Sequence, residues 1–194
     1  MSTRSRQYAR ILAATRERVE SGGGIPALTL REVAATAELP LGSVRHVYPS
    51  KDALLEALAE DVIDVAREHQ RRAMSEKNVL DRVVMLLPQD EQERQQARLE
   101  VRMGLHVADA TLSEPARRAF AAASIESARL LQATCEQVIE IVAREPAGFG
   151  NRIDQVGLYG LVEGLRLQML RGTVTLPEVF GAIRWHLQML ARKR

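Results

Sequence analysis

Between short clusters of glycine and proline, apolar residues recur along this chain at three-to-four spacing and do not alternate, which is the signature of amphipathic helices rather than of strands. The breaks fall at "SGGGIP" (21–26), "LPLG" (39–42), Pro49, Pro88, "EPAGFGN" (145–151) and "GTVTLP" (172–177). They predict an all-α chain. The first helix covers about 5–20, with Gly22 as its stop, and the second opens on Thr29 and Glu32, a T-x-x-E capping box. A third starts at Pro40 and must end before Pro49, which leaves it about two turns. Ser50 then caps a long helix to about Arg72, and further helices are expected over 76–87, 90–110, 113–144, 151–171 and 176–192, the last behind a second T-x-x-E box at Thr175 and Glu178.

The third helix is too short to hold itself, because isolated helices below roughly 12 residues are marginal in water. Val44 and Val47 lie on one side of it and are expected to pack on Val33, Ala34 and Ala37 of the second helix. The other side then presents Leu41, Gly42, Ser43, Arg45 and His46 to solvent. Such a stub, projecting from a trihelical platform, has the shape of a helix-turn-helix and fits the roughly 12 Å wide major groove of B-DNA. Arg45 can fork onto guanine or a phosphate, and Ser43 and His46 can donate or accept at a base edge. Lys51, at the positive N-terminus of the fourth helix, and Thr29, at that of the second, are placed to anchor phosphates.

Charge supports the same end of the chain. The formal net charge is only +2, yet residues 1–52 hold eight Lys/Arg against five acids, so the basic excess sits at the front. With 194 residues and 46% apolar content the chain is expected to bury a core without staples, and a single cysteine, Cys135, points to a reducing, cytoplasmic location. No apolar run approaches the roughly 20 residues a bilayer span needs, so no membrane partner is expected.

The run "LTLREVAATAELPLGSVRHVYPSKDALL" resembles the DNA-binding domain of the TetR (tetracycline-repressor-like) family of transcriptional regulators, in register over about Arg10–Leu58, with "YPSKDALL" the most specific part. "LYGLVEGLRLQMLRG" and the capped final helix are similar to the family's closing segment. The resemblance implies a helix-turn-helix domain over 1–50 and a helical effector-binding and dimerisation domain over 51–194, with Thr29, Tyr48 and Lys51 the best-matched DNA contacts. It also implies a homodimeric repressor whose two recognition helices read successive major grooves of a palindromic double-stranded operator, and which a small-molecule effector of unidentified chemistry releases by tilting the fourth helix. The alternative is a dimeric DNA-binding regulator with no effector. Two positions depart from the pattern. Glu38 stands where members usually carry glycine, and Arg45 and Val47 stand where many carry tyrosine and histidine.

Dimerisation is expected to use Gly157, Gly160, Leu161, Gly164 and Leu165 together with Trp185, since each mid-helix glycine loses about 1 kcal/mol of helix propensity that close helix approach can offset. Close packing within one chain is the competing reading, and Trp185 is expected in the core or the dimer seam. For a ligand, the helix over 90–110 offers Arg102, Met103, His106 and Asp109, with Met85 nearby; core filling is the competing role of the methionines, and a satisfied core histidine that of His106. An enzyme is not expected. The residues three before His69, His106 and His186 are Ala66, Met103 and Ile183, so the Glu-x-x-His pairs of a di-iron bundle are missing, and no metal or cofactor is expected. Cys135 sits mid-helix near Glu136 and Glu140, which disfavours a thiolate nucleophile.

Overall fold

The computed structural model describes residues 3–21, 23–143 and 149–192, and these form nine helices and no strand. They are α1 (Thr3–Ser21), α2 (Leu30–Thr36), α3 (Leu41–Val47), α4 (Lys51–Ser75), α5 (Val79–Val84), α6 (Glu91–Leu105), α7 (Glu114–Ala143), α8 (Phe149–Leu170) and α9 (Leu176–Arg192). Gly22, the expected stop of the first helix, lies outside the described residues.

Local chemistry explains most of the boundaries. The Thr29 hydroxyl accepts from the Glu32 amide while the Glu32 carboxylate accepts from the Thr29 amide, so both halves of the capping box are closed. Ser50 Oγ accepts from the Ala53 amide at the start of α4, and the Glu178 carboxylate accepts from the Thr175 amide at the start of α9. Two helices are shorter than the periodicity predicts. Asn78 caps α5 by accepting from the Leu80 amide, which moves its start to Val79. α6 ends at Leu105 because the Asp109 carboxylate accepts from the Thr111 amide and hydroxyl, a local turn that competes with helical bonding.

Packing divides the chain into two units, each with its own core. The first takes residues up to 63 together with 95–125, and its core includes Ile11, Val33, Val44, Leu54, Met103 and Phe120. The second takes 64–94 and 126–194, around Leu87, Ile139, Leu158, Val162, Val179 and Ile183. The sequence places a boundary at residue 50, between the expected helix-turn-helix and helical domains. Packing instead groups the three N-terminal helices with the first half of α4, most of α6 and the start of α7.

Candidate nucleic-acid interface

α3 is built as a two-sided element. Its N-cap, Pro40, offers no side-chain cap, so the Pro40 carbonyl instead accepts from the Ser43 and Val44 amides at 2.9 and 3.3 Å. At the far end Tyr48 turns to extended backbone, as the residue before Pro49 must. Val44 is 0% exposed and is the one fully buried residue of the helix, with Leu41 and Val47 packed partly against the same core. Gly42, Arg45 and His46 are exposed, Ser43 is half-buried, and neither the Arg45 nor the His46 side chain makes a hydrogen bond or ion pair among the described residues. Leu41 therefore corrects the expectation of a solvent-facing residue, since it spends much of its side chain on the core.

The turn between α2 and α3 keeps the left-handed residue that the motif needs even without glycine. Glu38 has φ +48°, the Glu38 amide donates to Ala35 at 3.0 Å and the Leu39 amide donates to Ala34 at 2.9 Å, which together form a Schellman closure of α2. Arg10 of α1 donates to the Glu38 carboxylate at 3.0 Å.

The expected anchors already have partners within the chain. Lys51 Nζ donates to the Pro26 carbonyl at 2.8 Å, tying the start of α4 to the α1–α2 loop, and burial lowers its pKa from the usual lysine value. Thr29 is engaged with Glu32, whose carboxylate is held below the usual range first by the Thr29 hydroxyl, with further help from Arg18. Tyr48 is buried rather than displayed: its ring meets Tyr8 edge-to-face at 5.6 Å, and burial pushes its hydroxyl up to about 12.

The whole chain can now be set beside known proteins. No protein-family model matches the sequence, and no curated protein matches it. Among solved structures, it is similar to a bacterial regulatory protein in the tetR family from Rhodococcus RHA1, at 18% identity and TM-score 0.65, with 98% of each chain covered. The fold is that of the TetR-family transcriptional regulators. A transcriptional regulator from Rhodococcus sp. Rha1 superposes with TM-score 0.74 at 16% identity over 96% of each chain. The transcriptional regulator FadR from Bacillus subtilis, in complex with stearoyl-CoA, gives 0.61 at 12% identity over 95% of this chain and 97% of its own.

Within this TetR fold the five residues expected to bind a ligand do not line one described cavity. Met103 is 1% exposed in the core of the first unit, Arg102 donates to the Val19 carbonyl of α1, and Met85 belongs to the second unit as the C-cap of α5. His106 Nδ1 and Asp109 Oδ2 are 2.8 Å apart in the turn after α6. Asp109 is held down at about 2, first by the Thr111 hydroxyl and amide and then by His106. A cavity of about 400 Å³ does open in the first unit, between α4 and α7, but it is lined by Glu56, Glu60, Ile63, Arg118 and small residues that periodicity did not single out.

The expected dimer residues sort by face. Gly157 and Gly160 are exposed, Gly164 is half-exposed, and a Cβ placed on any of them meets nothing within 4 Å, so packing inside the chain does not account for these glycines. Trp185 is 62% exposed and is not a core residue, which corrects one half of its expected placement. Leu165 is buried and Leu161 packs on the same core of the second unit, so both serve the interior: on α8, Leu158, Val162, Leu165 and Met169 form the inward stripe, while Ile153 and Val156 remain exposed near the glycines. Cys135 is fully buried, and burial, then Glu163 and Glu136, push its thiol up to about 12, far from a reactive thiolate.

Proposed function

We propose that this protein is a TetR-like DNA-binding transcriptional regulator, a homodimeric repressor that binds a palindromic operator and is released by a small-molecule effector. The observation that carries the reading is the division of α3: Val44 wholly inside, with Arg45 and His46 outside and unengaged among the described residues. In this reading Gly42, Ser43, Arg45 and His46 meet base edges and sugar-phosphate, and Lys51 and Thr29 exchange their intrachain partners for phosphate. Leu41 and Tyr48 brace the helix from behind.

The second copy is supported by the bare glycine face of α8 and by Trp185, an exposed large apolar residue on α9, which packs against α8. Residues 151–171 and 176–192 of both chains would form a four-helix seam. Two symmetric α3 helices would then address grooves about one helical turn apart.

One observation favours the second reading, a dimeric regulator without an effector: the residues expected to bind a ligand are spent on the core, on α1 and on a local turn. The FadR neighbour is in complex with stearoyl-CoA, which supports the effector reading for this fold. Among the described residues no helix is long and apolar enough to cross a membrane.

The test is selection of duplexes from a random pool, followed by footprinting. A two-fold symmetric site protected by a dimer is the expected result, and enrichment of no sequence at all defeats the proposal. Thermal-shift screening with metabolites, acyl-CoA esters included, then separates the gated regulator from the ungated one.

A further inference from the structure

The carboxyl end of α1 is where polar contacts from three other helices converge. Arg16 is ion-paired with Asp61 of α4, and Arg18 donates to Glu32 of α2 at 2.9 Å. α6 supplies two arginines one turn apart: Arg98 Nε lies 3.3 Å from the Glu20 carboxylate, and Arg102 donates to the Val19 carbonyl. All of these residues belong to the same packed unit.

That end of α1 requires such partners. The last carbonyls of a helix have no intrahelical donor and carry its negative pole, and a carboxylate placed there is unfavourable on its own. Glu20 is a carboxylate in that position, one residue before the end of α1. Arg98 answers its charge and Arg102 answers one of the open carbonyls. The Arg98 and Glu20 side chains are 30% and 24% exposed, so the pair is partly shielded from water rather than a surface accident.

The same turn of α1 leads directly to the reading head. α1 packs on α2 and α2 on α3, and Arg18 is tied to Glu32, the residue that closes the α2 capping box. A shift of the last turn of α1 is therefore passed to the start of α2, and close-packed interiors transmit such shifts rather than absorb them.

We propose that Arg98 and Arg102 are positioning residues for DNA recognition: by holding the last turn of α1 against α6 they set the orientation of the α1–α2–α3 reading head without touching DNA. The proposal rests on the DNA-binding reading above.

The experiment uses the full-length protein and a duplex that the wild type selects from a random pool. Arg98→Gln and Arg102→Met are each expected to weaken binding about fivefold to tenfold while the number of ions released, read from the salt dependence, stays at the wild-type value. Arg102→Lys, which still donates to a carbonyl, should bind within about twofold of wild type, and the swap Glu20→Arg with Arg98→Glu should recover affinity that either single change loses. Thermal unfolding and stoichiometric titration report the folded, active fraction of each variant. Should Arg102→Met fail to fold, Arg98→Gln and the charge swap decide. Wild-type affinity in folded Arg98→Gln or Arg102→Met, no recovery in the charge swap, or a loss matched by fewer released ions, overturns the proposal. A wild-type protein that selects no duplex defeats the DNA-binding reading instead, a distinct result.

Discussion

Arg10 of α1 reaches Glu38 in the α2–α3 turn at 3.0 Å, so the only non-glycine residue with positive φ among the described residues is held from a neighbouring helix. The pair is exposed and contributes little, because ion pairs in water are worth about 0–1 kcal/mol. The left-handed backbone costs about 1 kcal/mol for a residue with a Cβ. Glu38→Gly is therefore expected to gain about 0.5 kcal/mol in stability and so raise the urea midpoint, and Glu38→Ala to leave it level or lower it. A lower midpoint for the glycine variant would show that the ion pair outweighs the strain.

Lys51 is held by the Pro26 carbonyl in the free protein, and a phosphate is the stronger partner once DNA arrives. Lys51→Ala should weaken binding to every duplex and reduce the salt slope by about one ion. Ser43→Ala and His46→Ala should change which sequences are selected, at an unchanged slope. Uniform loss across sequences from all three variants contradicts the assigned roles.

The glycine face of α8 separates folding from assembly. A Cβ at Gly160 meets nothing within 4 Å in the chain, so Gly160→Ala should add about 1 kcal/mol to monomer stability through helix propensity. If a second copy packs there, the same change weakens the dimer, as Trp185→Glu should more strongly. Sedimentation equilibrium and urea unfolding are expected to move in opposite directions for Gly160→Ala. Stability and dimerisation rising together would place the seam elsewhere.

Asp109 gives a pH signature. Its carboxyl sits at about 2 when folded, below the ordinary value of 3.8, so the stabilisation it brings is complete above the ordinary value and is lost as pH falls toward 2. The turn after α6 should open in that window, seen as faster exchange of the Thr111 amide, and Asp109→Asn should open it at all pH values. A Thr111 amide equally protected at pH 2 and pH 5 would exclude the carboxylate as the lock.

Much of this architecture is written in short-range chemistry, which a sequence displays openly. The Thr29–Glu32 capping box and the Ser50 cap involve residues three apart and close as the pattern predicts, and at Thr175 the Glu178 carboxylate makes its half of the second box. The inward face of α3 was equally legible, because Val44 and Val47 have only one core to meet. What the pattern does not carry is choice between faces and distant partners. α8 is apolar on more than one side, so the glycine pattern placed Leu161 and Leu165 together at the seam, whereas Leu165 is buried in the core and Leu161 packs partly against it. Arg102 looked like a buried ligand contact, but its partner lies 83 residues away in sequence, at the end of α1. α6 looked longer than it is because the bonds from Asp109 to Thr111 compete with a helix only once the chain has turned.

The suspension of α3 from Val44 has an evolutionary corollary. A seven-residue helix whose interior obligations fall chiefly on one side chain leaves Gly42, Arg45 and His46 almost irrelevant to folding. If α3 reads DNA as proposed, new target preferences can then arise by a few substitutions on a scaffold that does not register them, so descendants of this chain can diverge in what they read long before they diverge in shape.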